Sequence, residues 1–387
     1  MIYLRGLHRK IYLSLEQALP SYRAPLKMIH VIIGTKAQLI KMAPILKTLK
    51  ERSIDYNYIT TGQHRETIDD LLSNFDIKDA DYSLYEGKDI TSVIQMFFWA
   101  TRNIFHTLRK RKEIFRNDHN GIVLVHGDTF STLLGAIMGK IAGLKVAHIE
   151  SGLRSFNLLH PFPEELTRIL TFKLSDYMFC PGDWAVANLD KYDGEKINTE
   201  YNTLLDALHI ALPVIRHISD VAIPERPFGV VTLHRFENIR NHTAMQRIIE
   251  LVEDISKKKR LVFILHKPTE IKLRKFGFYT RLENNPNIEL RERYDYFRFI
   301  KLVIEAEFIV SDGGSNQEEC YYLGKPVILL RKATERNEGL GRNCVLSNYD
   351  STVVNDFVDN IDKFTFKPLQ LMHSPSAIIV EHCARFA

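Results

Sequence analysis

Three carboxylates, Asp128, Glu150 and Glu164, stand where a parallel α/β sheet would bring them together. The first two follow the apolar runs 122–125 and 145–149, and the third opens a helical pattern. Ligands of open α/β sheets bind outside the carboxyl ends of the strands, so we expect the three side chains to converge on one crevice. Crowding and burial separate the pKa values of neighbouring carboxyl groups, and such a group is suited to proton transfer.

Each carboxylate also has an ordinary structural explanation. Asp128 precedes Thr129 and could cap a helix, and Glu164 follows Pro163, where an acid complements the helix dipole. The arrangement of all three, together with the motifs downstream, favours a functional site.

The elements that would position these residues alternate between strand and helix in two series, which predicts an α/β class with mainly parallel sheets. The first series has strands at 28–33, 54–61, 122–125, 145–149 and 177–180, and helices at 36–49, 66–75, 90–111 and 129–142 and after Pro163 and Gly182. The second has strands at 229–233, 261–265, 287–290, 308–311 and 326–330, and helices at 243–256, 296–304 and 351–363 and after Pro268.

A length of 387 residues favours two domains. We predict an N-terminal extension at 1–27, a domain at 28–200, a second domain at 201–366 and a C-terminal tail at 367–387. The region 192–227 is irregular in pattern and contains several prolines, so we place the interdomain linker inside it.

Composition narrows the class of protein. A net charge of +5 and a charged content of 26% give no reason to expect a nucleic-acid partner. The 4 cysteines are scattered and form no CxxC pair, so we expect no zinc site and free thiols in a reducing compartment. The sequence contains no apolar run of membrane-spanning length and no secretory signal, and we therefore expect a cytoplasmic protein without a membrane span.

A second set of residues is suited to binding phosphate. The predicted strand 308–311 runs into Asp312-Gly313-Gly314-Ser315 and then a helix. Glycines allow a close backbone approach, and the N-terminus of a helix attracts anions. Glu319 is four residues beyond Ser315, on the same helix face, where its carboxylate could accept hydrogen bonds from ribose hydroxyls.

Two further residues could contact a diphosphate. His234 follows a predicted strand and could donate from its ring, although a lone histidine in such a place is often structural. Arg336 could clamp phosphate with its planar guanidinium. The sequence lacks GxGxxG after the first strand, a Walker A pattern and HExxH, which argues against dinucleotide, P-loop and zincin proteins.

The motifs taken together resemble those of the non-hydrolysing UDP-N-acetylglucosamine 2-epimerases. The resemblance runs in consistent order from residue 28 to about residue 350 and rests on HGDT, HIESGLR, PEELTR, TLHRFEN, DGGSNQEE and ATERNEG. It implies a GT-B fold, which is two Rossmann-like domains facing each other across a cleft. It also implies inversion at C2 of UDP-GlcNAc to give UDP-ManNAc, or of a related UDP-HexNAc, by elimination and re-addition of UDP.

The resemblance also implies residue roles and partners. Neither a metal nor a redox cofactor is required, and a homodimer that supplies precursors of surface polysaccharide is expected. The implied catalytic residues are Asp128, Glu150, Glu164 and His234. The implied substrate-binding residues are Lys36, Lys41, Arg168, Phe299, Gly313, Gly314, Ser315, Glu319 and Arg336. A second UDP-GlcNAc, bound as an activator in some bacterial members, would contact Gln63, His64 and Arg65.

The chain departs from the family's pattern in its ligand-binding loops. The first loop has Lys36 and Gln38 where the family's GTRPE has arginine and glutamate, Gly313 replaces a serine, and Asn337 replaces a proline. Lysine keeps the charge but loses the forked guanidinium, so these changes suggest an altered UDP-sugar. A GT-B glycosyltransferase, a hydrolysing epimerase and a non-catalytic nucleotide-sugar sensor remain alternatives.

Overall fold

A computed structural model of the chain describes residues 27–63, 68–85, 93–158, 162–225 and 227–387. The predicted N-terminal extension lies, apart from its last residue, outside the described residues, as do His64, Arg65 and the predicted starts of the helices at 66–75 and 90–111.

The N-terminal domain is built on seven parallel strands in the order β3-β2-β1-β4-β5-β6-β7. Strands β1 and β4 are buried along their whole length, as expected for apolar strands covered on both faces. The strands are β1 (Ile29–Ile33), β2 (Tyr56–Thr60), β3 (Tyr82–Ser83), β4 (Ile122–His126), β5 (Lys145–Ile149), β6 (Tyr177–Cys180) and β7 (Glu195–Asn198).

The helices of this domain connect successive strands. They are α1 (Lys36–Glu51), α2 (Ile68–Phe75), α3 (Val93–Ile114), α4 (Phe130–Ala142), α5 (Glu164–Leu174) and α6 (Asp183–Ala187). Thr35 caps α1 and Thr129 caps α4, each in a capping box, which fixes where the loops after β1 and β4 end.

The C-terminal domain repeats the plan with six parallel strands in the order β10-β9-β8-β11-β12-β13. The strands are β8 (Phe228–Leu233), β9 (Arg260–Leu265), β10 (Ile288–Glu292), β11 (Phe308–Ser311), β12 (Val327–Leu329) and β13 (Cys344–Leu346). Strand order reverses between β1 and β4 in one domain and between β8 and β11 in the other, and ligands bind at such switch points.

The helices of the second half are α7 (Leu204–Ile215), α8 (Phe236–Ile239), α9 (His242–Ser256), α10 (Lys267–Phe276), α11 (Phe278–Glu283), α12 (Tyr296–Glu305), α13 (Gly314–Leu323), α14 (Ser351–Asp359) and α15 (Pro375–Cys383). The prediction of a mainly parallel, two-sheet α/β protein is therefore confirmed.

The expectation of an irregular segment at 192–227 is wrong where two regular elements lie within it. It contains the edge strand β7 and the apolar helix α7, which packs against α1 of one domain and against α12 and α13 of the other. Pro213 lies inside α7, although a proline within a helix removes one intrahelical hydrogen bond, so the proline did not mark a loop.

The chain ends in the N-terminal half of the molecule. Helix α15 packs against α1, and Asp206 accepts a hydrogen bond from the backbone N–H of Ser376 at 2.7 Å. The segment predicted as a tail at 367–387 thus contains a packed helix. The remaining domain boundaries stay predictions.

Candidate active site

The carboxyl edges of the two sheets face each other across a cavity of about 610 Å³. Strand and helix ends from both domains contribute its lining. These residues are Asp128, Phe162, Glu164, Arg168, His234, Arg235, Phe236, Glu237, Arg240, Gly313, Gly314, Ser315, Asn316, Glu335 and Arg336.

Two of the three predicted carboxylates meet in this cavity. Asp128 follows β4, is 30% exposed, and forms an ion pair with the buried guanidinium of Arg168. Glu164 opens α5, and its Oε2 atom is buried without a hydrogen-bond partner among the described residues. Burial raises the pKa of Glu164, and the nearby charge of Asp128 raises it further. One carboxylate is therefore paired with a cation, while the surroundings of the other raise its pKa.

Glu150 follows β5 but is not among the described residues that line the cavity. Its Oε1 atom pairs with Lys41, accepts a hydrogen bond from Asn202 at 2.6 Å, and lies 2.6 Å from a guanidinium nitrogen of Arg336. Burial alone would raise the pKa of Glu150, but Arg336 and Lys41 outweigh burial and hold that pKa well below its usual range.

The same network joins the two domains. Glu318 in α13 lies 3.2 Å from the Lys41 ammonium and 2.9 Å from the Arg336 guanidinium. Glu150 itself has φ of 63°, in the left-handed region that a non-glycine residue seldom occupies. Such backbone strain tends to persist where function requires it.

His234 follows β8 and is positioned through its backbone by Asp312. The fully buried Asp312 carboxylate accepts hydrogen bonds from the N–H groups of His234 and Arg235, both at 3.0 Å, and from the Asn238 amide at 2.9 Å. Burial lowers the pKa of His234, although Asp312 opposes this effect. A neutral imidazole at the cavity can donate a hydrogen bond without adding charge.

The turn after β11 leaves the N-terminus of α13 open toward the cavity, and none of the described side chains caps it. A Cβ atom at Gly313 would come within 2.6 Å of the Asn316 side chain, and one at Gly314 within 3.0 Å of Arg336. Both positions therefore favour glycine. At position 313, the Asn316 side chain occupies the space that the Cβ atom of a serine would need.

A smaller cavity of about 180 Å³ continues from the larger one and shares His234, Ser315 and Asn316 with it. Its lining includes four predicted binding residues, namely Lys36, Lys41, Phe299 and Glu319. Burial raises the pKa of Glu319 to about 8, and Asn316 donates a hydrogen bond to its carboxyl group at 2.9 Å. Burial also lowers the pKa of Lys36, with Arg293 as a second cause.

The altered first loop has a structural explanation at Gln38. Its Oε1 atom accepts hydrogen bonds from the N–H groups of Gly34 and Thr35, at 2.9 and 3.1 Å. Its Nε2 atom donates to the carbonyl oxygen of His126 at 2.7 Å and lies 2.9 Å from the Thr132 hydroxyl. An amide both donates and accepts, so Gln38 ties the loop after β1 to the turn that carries Asp128.

Of the three predicted activator residues, only Gln63 lies within the described residues. It is buried and accepts a hydrogen bond from Ser131 at 2.6 Å. His64 and Arg65 lie outside the described residues, so the activator site stays a prediction.

Sequence reasoning missed several residues that the structure brings to the site. Glu335 is buried between Arg235, Arg331 and Arg168, and Glu318 and Arg235 are likewise ion-paired. Each lies within a recognised motif but, apart from the Arg331–Glu335 pair, the ion-pair partners are distant in sequence. Arg293 could have been noticed because it directly follows a strand.

Two Rossmann-like domains meet at their switch points, with an open helix N-terminus on one side and carboxylates on the other, which is the arrangement of a GT-B type fold. In the part of the chain that the structure describes, no helix is both long enough and apolar enough to span a bilayer.

The chain belongs to the UDP-N-acetylglucosamine 2-epimerase family of enzymes, whose family model matches residues 47–373. It is 36% identical to the UDP-N-acetylglucosamine 2-epimerase of Methanococcus maripaludis over 81% of this chain and 86% of that protein. The corresponding Neisseria meningitidis enzyme is 34% identical over 81% and 85%.

The solved structures agree with this family. The crystal structure of the Neisseria meningitidis UDP-GlcNAc 2-epimerase bound to UDP-GlcNAc matches with a TM-score of 0.78 at 29% identity and covers 93% of this chain and 100% of that one. The Methanocaldococcus jannaschii enzyme in complex with UDP-GlcNAc and UDP matches with a TM-score of 0.77 at 25% identity over the same shares. The predicted GT-B fold is confirmed.

Proposed function

We propose that the chain interconverts UDP-GlcNAc and UDP-ManNAc, or a related pair of UDP-HexNAc sugars, without net hydrolysis. The observation that carries this proposal is that Asp128 and Glu164 line one cavity together. They lie opposite the edge of the other domain that carries the N-terminus of α13. Inversion at C2 needs one group to remove a proton and another to deliver one to the opposite face, because a single group cannot reach both.

The C-terminal edge would hold UDP. Its diphosphate would bind at the N-terminus of α13 near His234, and Glu319 would accept hydrogen bonds from the ribose hydroxyls. Charge that develops on the departing diphosphate is stabilised by donors already aimed at it, which is the largest single contribution in many enzymes.

The N-terminal edge would move the protons. The Asp128 carboxylate takes the proton from C2 while the C1–O bond to UDP breaks, and the C–H electron pair becomes the C1=C2 bond of a 2-acetamidoglucal. Glu164, whose pKa is raised by burial, then delivers a proton to the other face of C2 while UDP returns to C1. Glu150 would position Lys41 and Arg336. Its predicted part in proton transfer stays a prediction.

The test is turnover of UDP-GlcNAc in deuterated water, followed by identification of every sugar product. We expect UDP-ManNAc with deuterium at C2, and little free sugar at early times. Free ManNAc with UDP as the first products would instead identify a hydrolysing epimerase. Transfer of the sugar to an acceptor with C2 unlabelled would identify a glycosyltransferase, and UDP-sugar binding without any turnover would favour a sensor.

The homodimer implied by the resemblance has a candidate surface on α3. Phe97, Phe98, Phe105 and Leu108 are 65%, 68%, 61% and 50% exposed, and their spacing places them on one face of the helix, opposite the buried Trp99. Exposed apolar patches of this kind mark interaction sites. A dimer in light scattering that becomes a monomer on replacing Phe98 and Phe105 by glutamate would support this surface, and an unchanged mass would contradict it.

The roles in polysaccharide synthesis and the cytoplasmic location stay predictions.

A further inference from the structure

Four adjacent strands of the C-terminal sheet each deliver a ligand-facing group at the carboxyl edge. In spatial order these are Arg293 after β10, His266 after β9, His234 after β8, and the Gly313–Ser315 turn after β11. Adjacent strands are spaced by about 4.8 Å, so this row extends over roughly 14 Å. That span is comparable with the length of an extended nucleoside diphosphate.

The cavities lie along the sheet edge in the same order as these four groups. The larger cavity, which contains the carboxylates, meets the smaller one at His234, Ser315 and Asn316. At its other end the smaller cavity shares His266 and Arg293 with a further surface depression. If the diphosphate lies at the first junction and the sugar in the larger cavity, Arg293 lies at the far end of the nucleoside.

Arg293 is available to a ligand at this end. Among the described residues, none forms a hydrogen bond or an ion pair with its guanidinium, and desolvation lowers its pKa while leaving it a cation. Burial lowers the pKa of the neighbouring His266 to about 3, and the His266 ring lies 3.0 Å from the Thr232 hydroxyl. Of these two strand-end residues, Arg293 is therefore the one that offers a positive charge to a ligand.

We infer that Arg293 contacts the carbonyl edge of the nucleobase and selects uracil over cytosine, an inference that rests on the proposed function. A guanidinium only donates hydrogen bonds. Uracil presents an acceptor oxygen at C4, where cytosine presents an amino group that also donates.

The test compares UDP and CDP binding by calorimetry for the wild-type protein and the variants Arg293→Met and Arg293→Lys. We expect the wild-type protein to prefer UDP by on the order of ten- to a hundredfold, the range for a good donor contact to a base edge. Arg293→Met should lose UDP affinity and leave CDP affinity nearly unchanged, so that the preference disappears. Arg293→Lys, which keeps a donor, should retain part of it.

Arg274→Met is the matched control, because Arg274 lines the adjacent depression but not the smaller cavity. It should keep the wild-type preference. Equal loss of UDP and CDP affinity in Arg293→Met would place the guanidinium on phosphate or ribose and overturn the inference, as would an unchanged preference. Wild-type protein that binds neither nucleotide would instead overturn the proposed nucleotide site itself, and epimerase turnover with UDP-GlcNAc separates these two failures.

Discussion

The two edges that form the site are built from opposite kinds of groups. The N-terminal edge has ionisable carboxylates, with Asp128 paired to Arg168 and the Oε2 atom of Glu164 left without a hydrogen-bond partner among the described residues. The C-terminal edge offers backbone N–H groups and an imidazole of lowered pKa, His234. Carboxylates exchange protons, whereas backbone N–H groups and a neutral imidazole stabilise charge without changing their own. Substitutions should therefore change the rate at one edge and affinity at the other.

The largest expected effect tests this division directly. Glu164→Gln and Asp128→Asn should each lower the epimerisation rate by roughly 10²–10⁴-fold, the usual contribution of a general acid or base. UDP affinity should remain close to that of the wild-type protein, since the nucleotide is held by the other domain. Steady-state kinetics and UDP calorimetry on the same preparations give both quantities. A variant that loses UDP binding as fully as turnover would contradict the separation of roles.

The second prediction sharpens the contrast among the carboxylates. Glu150 neutralises Lys41 and Arg336 in a buried network, and loss of one partner of a buried pair typically costs roughly 3–5 kcal/mol. Glu150→Gln should thus lower the free energy of unfolding, by up to that amount. Glu164→Gln should leave it unchanged or raise it, because the Glu164 pKa is already raised by burial.

Thermal melts at several pH values check this assignment. Because the folded-state pKa of Glu150 is depressed, its contribution to stability is present above its unfolded pKa and is lost as pH falls through the folded value. Glu150→Gln should therefore be most destabilising at neutral pH and least so in acid. The reverse order of melting temperatures for Glu150→Gln and Glu164→Gln would refute the two assignments.

Local patterns predicted most of the fold. Buried parallel strands are continuous apolar runs, so both alternating series could be located. The cap of α4 is Thr129 and not Asp128, which the sequence had offered as a cap. Edge elements were harder to predict. Strand β7, with the sequence EKIN, has no apolar run, and β13 has three residues, so neither had enough hydrophobic pattern to identify it.

The residues of the candidate site also fall into a group that the sequence predicts and a group that it does not. Residues at strand ends, such as Asp128 and His234, could be placed because topology brings those ends together. The ion pairs of Glu318 and Glu335 could not, because their partners come from distant segments and from the other domain. The involvement of Glu150 in ion pairs was also not predictable, since it depends on how closely Lys41 of the same domain and Arg336 of the other domain approach it.

The third prediction concerns the loop that joins the two halves of the N-terminal edge. Gln38→Leu removes a side chain that satisfies the N–H groups of Gly34 and Thr35 and the carbonyl of His126. Unsatisfied buried groups cost roughly 1–3 kcal/mol, so chemical denaturation should show a loss of that order. Gln38→Glu keeps the accepting oxygen and should lose less. Equal stability of the Leu variant and the wild-type protein would show that water replaces these contacts.

The smallest expected effect is a pH dependence of UDP affinity at the C-terminal edge. Glu319 has its pKa raised to about 8 by burial, so near pH 7 the unliganded carboxyl is mostly protonated. Ribose hydroxyls donate best to the ionised form, so binding should release a proton. UDP affinity should then rise as pH increases from 7 toward 8 and level off above it, by up to about tenfold per pH unit in the limit where binding requires ionisation. Above pH 7 the UDP phosphates are already ionised and His234, with its lowered pKa, is neutral, so neither contributes to the slope.

Glu319→Gln is the matched control and should bind UDP with an affinity that does not change over this range. An affinity that falls with pH in the wild-type protein, or a slope that survives in Glu319→Gln, would show that this carboxyl does not bind the ribose as an anion and that the C-terminal edge holds the nucleotide by its backbone groups and His234 alone.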